Sequence, residues 1–307
     1  MDREFDVVIL GSGPAGLQAA VHAARTRARV AVLGKVQSSS LYKAHIENYC
    51  CMTDTISGET VLSHGRNQAK KFGAILLDED VLHFERADDD RFRVEVESGN
   101  SIFSWTIILA MGVSRNRLNV PGEKELLGKG VSYCVDCDAN FFRNQVVTVV
   151  GNGSAAASGA LKLLLIAGET HLVCGSLEIS ENLRYQIESS RIEVHTGCSV
   201  SRILGDREVE GVLLDDGKKI DTSGVFIELG AKGAIELASG LGVALDSETM
   251  RFVATNKKQE TNVPGIYAAG DICGPPWQMA KAVGEGCVAG LEATTYARRA
   301  RTKAARG

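Results

Sequence analysis

Residues 6–16 read DVVILGSGPAG, an apolar run that ends in a glycine-rich turn. The run predicts a buried parallel strand, because strands covered on both faces are continuously apolar. Gly11, Gly13 and Gly16 have the spacing of a dinucleotide-binding turn. In such a turn the first glycine makes the bend, the second lets the pyrophosphate approach the backbone, and the third allows close helix–strand packing. The stretch therefore predicts a phosphate site at the start of a helix.

The segments that follow complete a strand–turn–helix–strand unit. An alanine-rich stretch, about Leu17–Thr26, predicts the helix, and Arg29–Leu33 predicts the second strand. The acidic residue that usually binds the ribose after that strand is missing, and Gly34–Val36 (GKV) stands in its place. We therefore expect the adenosine ribose to be held in another way.

A second copy of the pattern lies in the middle of the chain. Val146–Val150 predicts a strand, residues 151–156 (GNGSAA) form the turn, Ser158–Ala167 predicts a helix and Thr170–Cys174 predicts the next strand. The distance between the copies is too long for a solenoid repeat and fits two separate nucleotide-binding folds. The candidate phosphate contacts of the second copy are Gly151, Gly153, Ser154 and Ala155.

Whether the second copy still binds a nucleotide is left open by its sequence. NADPH needs arginines after the second strand for its ribose phosphate. Cys174–Ile179 contains no basic residue, and the first one is Arg184. Glu178 lies late for an NADH ribose contact, so a working NADH site and a vestigial pocket both remain possible.

Strand pairs and a long C-terminal helix fill the rest of the chain. Two hairpins are predicted around SGN and DDG turns, followed by an apolar strand that closes on Gly-Asp and a helix. Their segments are Phe92–Val96 with Ser101–Leu109, Gly211–Leu214 with Lys219–Ile220, Gly265–Asp271, and about Gln278–Arg298. We expect residues 297–307, which are small and basic, to be frayed. The fold class is α/β.

Composition narrows the function classes. The chain has 307 residues, 44% hydrophobic and 23% charged, with a net charge of −4, which is typical of a folded, two-domain protein and offers no basic field for nucleic acid. No apolar stretch reaches the roughly 18 residues of a membrane helix, and no signal-like segment is seen. We therefore expect a cytoplasmic protein without membrane contact, whose eight cysteines are mostly free thiols.

Cys134 and Cys137 form a C-x-x-C motif, CVDC. Two thiols at this spacing can close a redox-active disulfide. The alternative is half of a zinc site, but zinc needs a second cysteine pair or a histidine pair three to five residues apart, and neither is present. We predict no metal site. Asp136 and Asp138 flank Cys137, and a carboxylate there suits a proton donor better than a thiolate stabiliser.

Over nearly its whole length the chain resembles the low-molecular-weight thioredoxin reductase family. The resemblance rests on GSGPAG at 11–16, IENY at 46–49, GVSYCVDCD at 130–138, FRNQ at 142–145 and TNVPGIYAAGD at 261–271. It implies two Rossmann-like three-layer β/β/α domains in a homodimer. The FAD domain, residues 1–113 and 244–307, would be split around an NAD(P)-binding-like domain, residues 114–243, with hinges near Val113–Pro121 and Leu241–Leu245.

The resemblance also implies roles for individual residues. Cys137 would be the thiol next to the flavin, Cys134 the interchange thiol that attacks the partner's disulfide, and Asp138 the general acid/base. FAD would be bound by Gly11, Gly13, Pro14, Ala15, Gly16, Asn48, Gly112, Gly270, Asp271, Gln278, Met279 and Ala280. The partner would be a thioredoxin-like protein.

Departures from the family pattern concern the electron donor. The basic cluster for NADPH is absent, Cys50 and Cys51 replace the usual Pro-Gly, residues 35–42 lack a Gly-Gly-Gln segment, and Gly274–Trp277 stands where an arginine is common. The pattern is similar to the pyridine-nucleotide-independent branch, which takes electrons from ferredoxin or another donor. The alternatives are an NAD(P)H-dependent thioredoxin reductase and a non-catalytic, redox-sensing flavoprotein.

A ferredoxin donor would need a basic surface to meet its acidic one. The candidates are Arg298, Arg299, Arg301, Lys303 and Arg306. A basic tail can equally be a solvated terminus, so both interpretations stay open at this point.

Overall fold

The structure is a computed structural model, and it describes residues 3–50, 52–113, 117–230, 237, 240–248 and 250–305. The chain divides into two compact units, residues 1–113 with 233–307 and residues 114–232. The second unit is thus inserted into the sequence of the first. Cys51, Arg306 and residues 114–116 of the predicted first hinge lie outside the described residues.

The described strands and helices are numbered in chain order. The strands are β1 (Arg3–Leu10), β2 (Val30–Leu33), β3 (His45–Ile46), β4 (Ile56–Ser57), β5 (Ile75–Leu77), β6 (Val81–Arg86), β7 (Phe92–Val96), β8 (Ser101–Leu109), β9 (Val131–Ser132), β10 (Val146–Val150), β11 (Glu169–Cys174), β12 (Glu193–Thr196), β13 (Val200–Leu204), β14 (Gly211–Leu214), β15 (Lys219–Asp221), β16 (Gly224–Ile227) and β17 (Ile266–Ala268). The α-helices are α1 (Pro14–Arg25), α2 (Gly58–Lys71), α3 (Val135–Asp138), α4 (Ser154–Leu163), α5 (Glu181–Glu188) and α6 (Met279–Ala304). None of these helices combines the length and apolar character needed to cross a membrane.

The first unit is built on a seven-stranded sheet of order β5-β2-β1-β8-β7-β6, with β17 also paired to β8. β1 runs parallel to β2 and β8, and β17 runs parallel to β8. The predicted hairpin of β7 and β8 is confirmed as an antiparallel pair. The carboxyl ends of β1, β8 and β17 therefore lie side by side at one edge of the sheet.

Two cores cover the two faces of this sheet. On one face α1 and α6 pack through small residues, and a Cβ on Gly286 or Gly290 would lie 2.2 Å from the Ala15 carbonyl or 2.4 Å from the Ala19 carbonyl. On the other face the buried Phe84 and the β7 strand fill the space. The close helix contact fixes α1, and with it the glycine-rich turn at its start.

The C-terminal tail differs from the prediction of fraying, because α6 continues to Ala304. Ala297 is fully buried, Arg298 donates to the Thr26 carbonyl, and Arg301 forms an ion pair with Asp6 at 3.0 Å. These contacts with α1 and β1 hold the last turns of the helix.

The second unit has a five-stranded parallel sheet of order β12-β11-β10-β16-β9. The antiparallel strands β13, β14 and β15, including the predicted β14–β15 hairpin, pack their apolar side chains with the sheet in one core. Helix α4 contacts β10 and β11. The predicted fold class of Rossmann-like three-layer units is confirmed.

Both glycine-turn helices begin earlier than predicted. α1 begins at Pro14 rather than Leu17, and α4 begins at Ser154 rather than Ser158. Proline is compatible with the first helical position, where its missing N–H is not needed. The helix N-termini therefore start directly after the second glycine of each turn.

Candidate functional site

Three loops of the first unit converge at the carboxyl edge of its sheet. Gly11 follows β1, Gly112 lies three residues after β8, and Gly270 with Asp271 follows β17. Since these strands are neighbours, the loops that follow them border one crevice, which is where parallel sheets bind ligands.

The glycine turn after β1 has two closed positions and one open one. Gly11 has φ +119°, and a Cβ there would lie 2.3 Å from the Ala110 carbonyl oxygen; a Cβ on Gly16 would lie 1.9 Å from the Gly11 oxygen. At Gly13 the one atom of the described residues that a Cβ would meet within 4 Å is Ser39 Oγ, at 3.4 Å. The turn thus leaves space for a ligand at its second glycine and nowhere else.

The N-terminus of α1 faces this space. Gly13 is its N-cap, Pro14 occupies the first turn, and among the described residues no side chain caps the helix and no acidic residue lies in that turn. Helix N-terminal amides attract anions when nothing else neutralises them. The turn can therefore hold the pyrophosphate of a dinucleotide.

Lys35 occupies the position where a ribose-binding acid was missing from the sequence. Its ammonium lies 2.9 Å from Asp80 and 2.7 Å from Glu97, two carboxylates that are almost fully buried. Burial alone would lower the pKa of Lys35, but hydrogen bonds to Glu97 and Asp80 raise it above its ordinary value. The lysine is thus held as a cation in an internal ion cluster.

Two distant predicted residues meet at the start of α6. Asn48 Nδ2 donates to Gln278 Oε1 at 3.1 Å, although 230 residues separate them in sequence. Gln278 is the N-cap of α6, and Met279 and Ala280 are its first two residues. The structure therefore brings these four predicted residues into one local group.

Two residues that sequence reasoning missed hold the Gly270 loop. Glu285 accepts a hydrogen bond from the Gly270 amide at 2.8 Å, and Lys281 donates to the Gly270 and Gly274 carbonyls at 2.8 and 2.6 Å. The two side chains form an ion pair at 3.2 Å. The only sequence signal for this ion pair was the spacing of four residues on a predicted helix, which puts two side chains next to each other. Burial raises the pKa of Asp271 in this loop, and the Lys281 ammonium opposes that shift.

Cys134 and Cys137 form a disulfide in the second unit, with a Cα–Cα distance of 5.3 Å. Cys134 is the N-cap of α3 and half-buried, whereas Cys137 is exposed. The Cys137 amide donates to Cys134 Sγ at 3.1 Å. A backbone donor on a sulfur stabilises it as a thiolate after reduction, so the motif is suited to redox chemistry.

The helix that carries the cysteines is fixed by residues that sequence reasoning did not select. Val135 is buried against Gly159, where a Cβ would lie 3.0 Å from Val135 Cγ2. The Val135 amide donates to Glu228 Oε1 at 3.2 Å. Glu228 directly follows β16, the neighbour of β9, so the sheet positions the cysteine pair.

Asp138 is held beside the disulfide by Ser132, which the sequence analysis also missed. The Ser132 hydroxyl donates to Asp138 Oδ2 at 2.6 Å and accepts from the Cys134 amide at 3.0 Å. Asp136, the other flanking acid, is paired with Lys162. The Lys162 ammonium thus offsets the charge of Asp136, whereas Asp138 is bound by the Ser132 hydroxyl.

The second glycine turn is closed where the first is open. The two first glycines are alike, since a Cβ on Gly151 would lie 2.0 Å from the Glu228 carbonyl. The difference is at the second glycine, because a Cβ on Gly153 would lie 2.7 Å from the Gly230 carbonyl. The Ala155 amide, in the first turn of α4, already donates to that Gly230 carbonyl at 3.3 Å. The chain's own backbone therefore covers the place where a pyrophosphate would bind.

The segment after β11 adds no contacts for a phosphorylated ribose. The Glu178 amide donates to the Asn152 carbonyl at 2.8 Å, which ties the segment to the glycine turn. Arg184, its first basic residue, donates to the Leu177 carbonyl at 2.8 Å. Its guanidinium is thus engaged with the segment itself.

The chain is similar to known proteins over nearly its whole length. The sequence model of the family described as pyridine nucleotide-disulphide oxidoreductase matches residues 5–286. A thioredoxin reductase of Mycolicibacterium smegmatis is 34% identical over 303 residues, covering 95% of this chain and 96% of the relative.

Two solved structures are similar in fold along nearly the full length. The atypical thioredoxin reductase TRi from Desulfovibrio vulgaris Hildenborough has a TM-score of 0.84 and 35% identity, covering 96% of this chain and 98% of that one. A ferredoxin-flavin thioredoxin reductase from Clostridium acetobutylicum has a TM-score of 0.69 and 31% identity, covering 97% and 100%.

Proposed function

This chain belongs to the pyridine nucleotide-disulphide oxidoreductase family, among the thioredoxin reductases, and on that premise we propose that it is a disulfide reductase whose electron donor is not NADPH. FAD, when bound, would supply the electrons that reduce the Cys134–Cys137 pair, and this pair reduces a thioredoxin-like protein. One observation carries the proposal: the first glycine turn is open at Gly13, while the second is covered by the Gly230 carbonyl.

The residues of the first unit fit FAD, the cofactor of this family. The α1 N-terminus and the space at Gly13 suit its pyrophosphate, and Gly112, Asp271 and the Asn48–Gln278 pair line the same crevice in this proposal. Bound FAD supplies the two-electron store between donor and disulfide. Lys281 and Glu285 hold the Gly270 loop in place for it.

Thiol–disulfide exchange then follows from the cysteine pair. Reduction breaks the Cys134–Cys137 bond and adds two electrons and two protons. The Cys134 thiolate attacks the partner's disulfide, forms a mixed disulfide and releases one partner thiolate. Cys137 then attacks Cys134, which closes the enzyme disulfide and releases the second partner thiolate. Both released thiolates take up protons, so the partner gains the two electrons that the enzyme pair loses.

Asp138 is the proton carrier in this scheme. The Ser132 hydroxyl holds its Oδ2, and the same hydroxyl accepts from the Cys134 amide. Asp138 follows Cys137 directly on α3, which supports its assignment as the group that exchanges protons with the thiols.

A ferredoxin-like donor suits the surface of the first unit. Arg298, Arg299 and Lys303 are exposed together on the last turns of α6. A cluster of cations attracts an acidic protein and speeds its association at low salt. The Clostridium acetobutylicum relative is a reductase named for ferredoxin and flavin, which supports a donor of this class.

Trapping of the mixed disulfide tests the proposal. A Cys137→Ser variant keeps Cys134 as the single interchange thiol. A thioredoxin that lacks its resolving cysteine, with its remaining cysteine activated as a mixed disulfide with thionitrobenzoate, gives Cys134 a disulfide to attack, thionitrobenzoate as the leaving group and no second thiol to release the complex. We expect a covalent one-to-one complex on a non-reducing gel, and none with the matched Cys134→Ser variant. Absence of a complex with both variants contradicts the proposed function, and trapping by Cys134→Ser alone reverses the two cysteine roles.

A further inference from the structure

A group of polar side chains in the second unit has no part in the proposed redox chemistry. His171 lies on β11, and Glu193 and His195 lie on the neighbouring strand β12. The register pairs His171 with Glu193, and His195 lies two residues further along β12, so all three side chains share one face of the sheet. Both imidazoles are buried, whereas Glu193 is half exposed and gives access from solvent.

The three side chains present their ligand atoms at distances that suit a metal ion. His171 Nδ1 lies 3.1 Å from His195 Nε2, and the Glu193 carboxylate oxygens lie 3.6 Å from the former and 3.5 Å from the latter. Ligands placed about 2.0–2.2 Å from a tetrahedral zinc ion are separated by roughly 3.3–3.6 Å. The triangle of donors therefore already has close to the size that zinc requires.

A second carboxylate orients one of the two imidazoles. Glu169 Oε1 lies 3.2 Å from His171 Nε2, on the side of the ring away from the group. A proton on Nε2 is donated to Glu169, which leaves the lone pair of Nδ1 directed at His195 and Glu193. Metal-binding histidines are characteristically held by a carboxylate in this way.

The Lys218 ammonium would compete with a metal ion for His195 and Glu193. Its ammonium lies 3.2 Å from His195 Nδ1 and 3.6 Å from Glu193 Oε1, and its side chain is half exposed. An ammonium only donates, so in this state His195 accepts on Nδ1 and carries its proton on Nε2. A metal ion on Nε2 requires that proton to move to Nδ1 and requires the Lys218 ammonium to turn away.

We propose that His171 Nδ1, His195 Nε2 and the Glu193 carboxylate form a binding site for Zn²⁺, with Lys218 as its built-in competitor. Imidazole and carboxylate donors suit a divalent transition metal of this kind. Three protein ligands leave the fourth position to water. The ion would join β12, the edge strand of the sheet, to β11 and stabilise the second unit by binding only its folded form.

Titration of the untagged, FAD-loaded protein with Zn²⁺ in a calorimeter tests this site, with the disulfide intact and the exposed thiols alkylated. The wild type is expected to bind one equivalent. Glu193→Gln and His195→Asn are expected to weaken binding at least about tenfold. Lys218→Met is expected to tighten it by about threefold to tenfold, because a nearby positive charge is removed.

The matched control is His83→Asn, which alters a surface histidine beside a carboxylate, Glu85, in the first unit. It is expected to leave zinc affinity unchanged. Because Glu193 and Lys218 are half exposed, their variants test the site even where His195→Asn fails to fold. The proposal is overturned when the wild type does not bind, when Glu193→Gln binds like His83→Asn, or when Lys218→Met leaves the affinity unchanged.

Discussion

The two glycine turns of this chain share a sequence signature but differ in what lies over them. At Gly13, within the part of the chain that the structure describes, a Cβ would have Ser39 Oγ as its one neighbour, at 3.4 Å. At Gly153 the Gly230 carbonyl lies 2.7 Å from the position of a Cβ and accepts from the Ala155 amide. Both turns join a strand to a helix in the same way, so the signature identifies the fold.

Ligand binding depends on the segment that returns over the turn. In the first unit the helix amides face open space and can meet a phosphate. In the second unit the amide of the corresponding helix is already satisfied by a backbone carbonyl, which a ligand would first have to displace. We infer that the first turn binds a dinucleotide and that the second turn has only a structural role.

The largest effect is expected for Gly13→Ala, which should prevent the open turn from binding FAD. A Cβ there fits the protein itself but takes the place of the pyrophosphate. Each hydrogen bond between an amide and a charged group contributes roughly 1.5–3 kcal/mol, so loss of two should weaken FAD binding at least about a hundredfold. Flavin absorbance of the purified protein and titration of the apoprotein measure this.

The control for that substitution is Gly284→Ala, on α6, where a Cβ has no described neighbour within 4 Å. It should retain full flavin content, since alanine is favoured within a helix. Normal FAD affinity in Gly13→Ala would show that the open space does not hold the pyrophosphate.

Gly153→Ala, in contrast, should destabilise the second unit and leave FAD binding unchanged. Its Cβ would collide with the Gly230 carbonyl, so the second unit should lose about 1–3 kcal/mol of unfolding free energy. FAD content should be unchanged. Urea unfolding followed by circular dichroism, beside flavin absorbance, checks both points. A Gly153→Ala protein of unchanged stability would contradict the close contact between this turn and the Gly230 carbonyl.

These contrasts mark what the sequence could and could not predict. Both hairpins, the two βαβ units and the apolar strand before Gly270 follow from local patterns of apolar residues and turn glycines. Other strands, such as β9, β12 and β16 of the second sheet, were not predicted. The closure over Gly153 comes from Gly230, far away in sequence, and no spacing rule connects them. The His171–His195 pair was missed for the same reason, because rules for metal ligands search along the chain rather than across strands.

The helix ends show a different limit. The prediction counted residues up to Gly16 and Ala156 as part of the glycine turns, whereas α1 begins at Pro14 and α4 at Ser154, directly after the N-cap glycines. The tail was expected to fray on composition, yet Ala297 is buried and Arg301 pairs with Asp6. Packing and ion pairs with distant elements decided these ends, and local propensity could not.

Lys281→Met should weaken FAD binding less than Gly13→Ala does. It removes the ammonium that donates to the Gly270 and Gly274 carbonyls. Loss of a supporting contact of this kind should reduce FAD affinity about tenfold. Lys258→Met, which removes an exposed lysine paired with Glu292, should have no effect, and equal affinities of the two variants would refute the positioning role of Lys281.

The smallest expected effect is at Cys273, whose thiol should not react with an alkylating reagent. Burial raises the pKa of this thiol to about 12, so it stays protonated at neutral pH and forms a thiolate only as the pH approaches that value. Alkylation with iodoacetamide at pH 8, followed by mass spectrometry, should label the exposed Cys50 and spare Cys273. Rapid labelling of Cys273 would show that the core near Asp271 opens in solution.

The electron donor is the central claim, and anaerobic stopped-flow mixing of the oxidised, FAD-loaded protein with NADPH, NADH or reduced ferredoxin tests it most directly. Because the second turn is closed, neither nicotinamide nucleotide should bleach the flavin on the timescale of thioredoxin reduction, whereas reduced ferredoxin should. Rapid bleaching by NADPH or NADH, at a rate that supports turnover, would contradict the account and restore the second turn as a working nucleotide site.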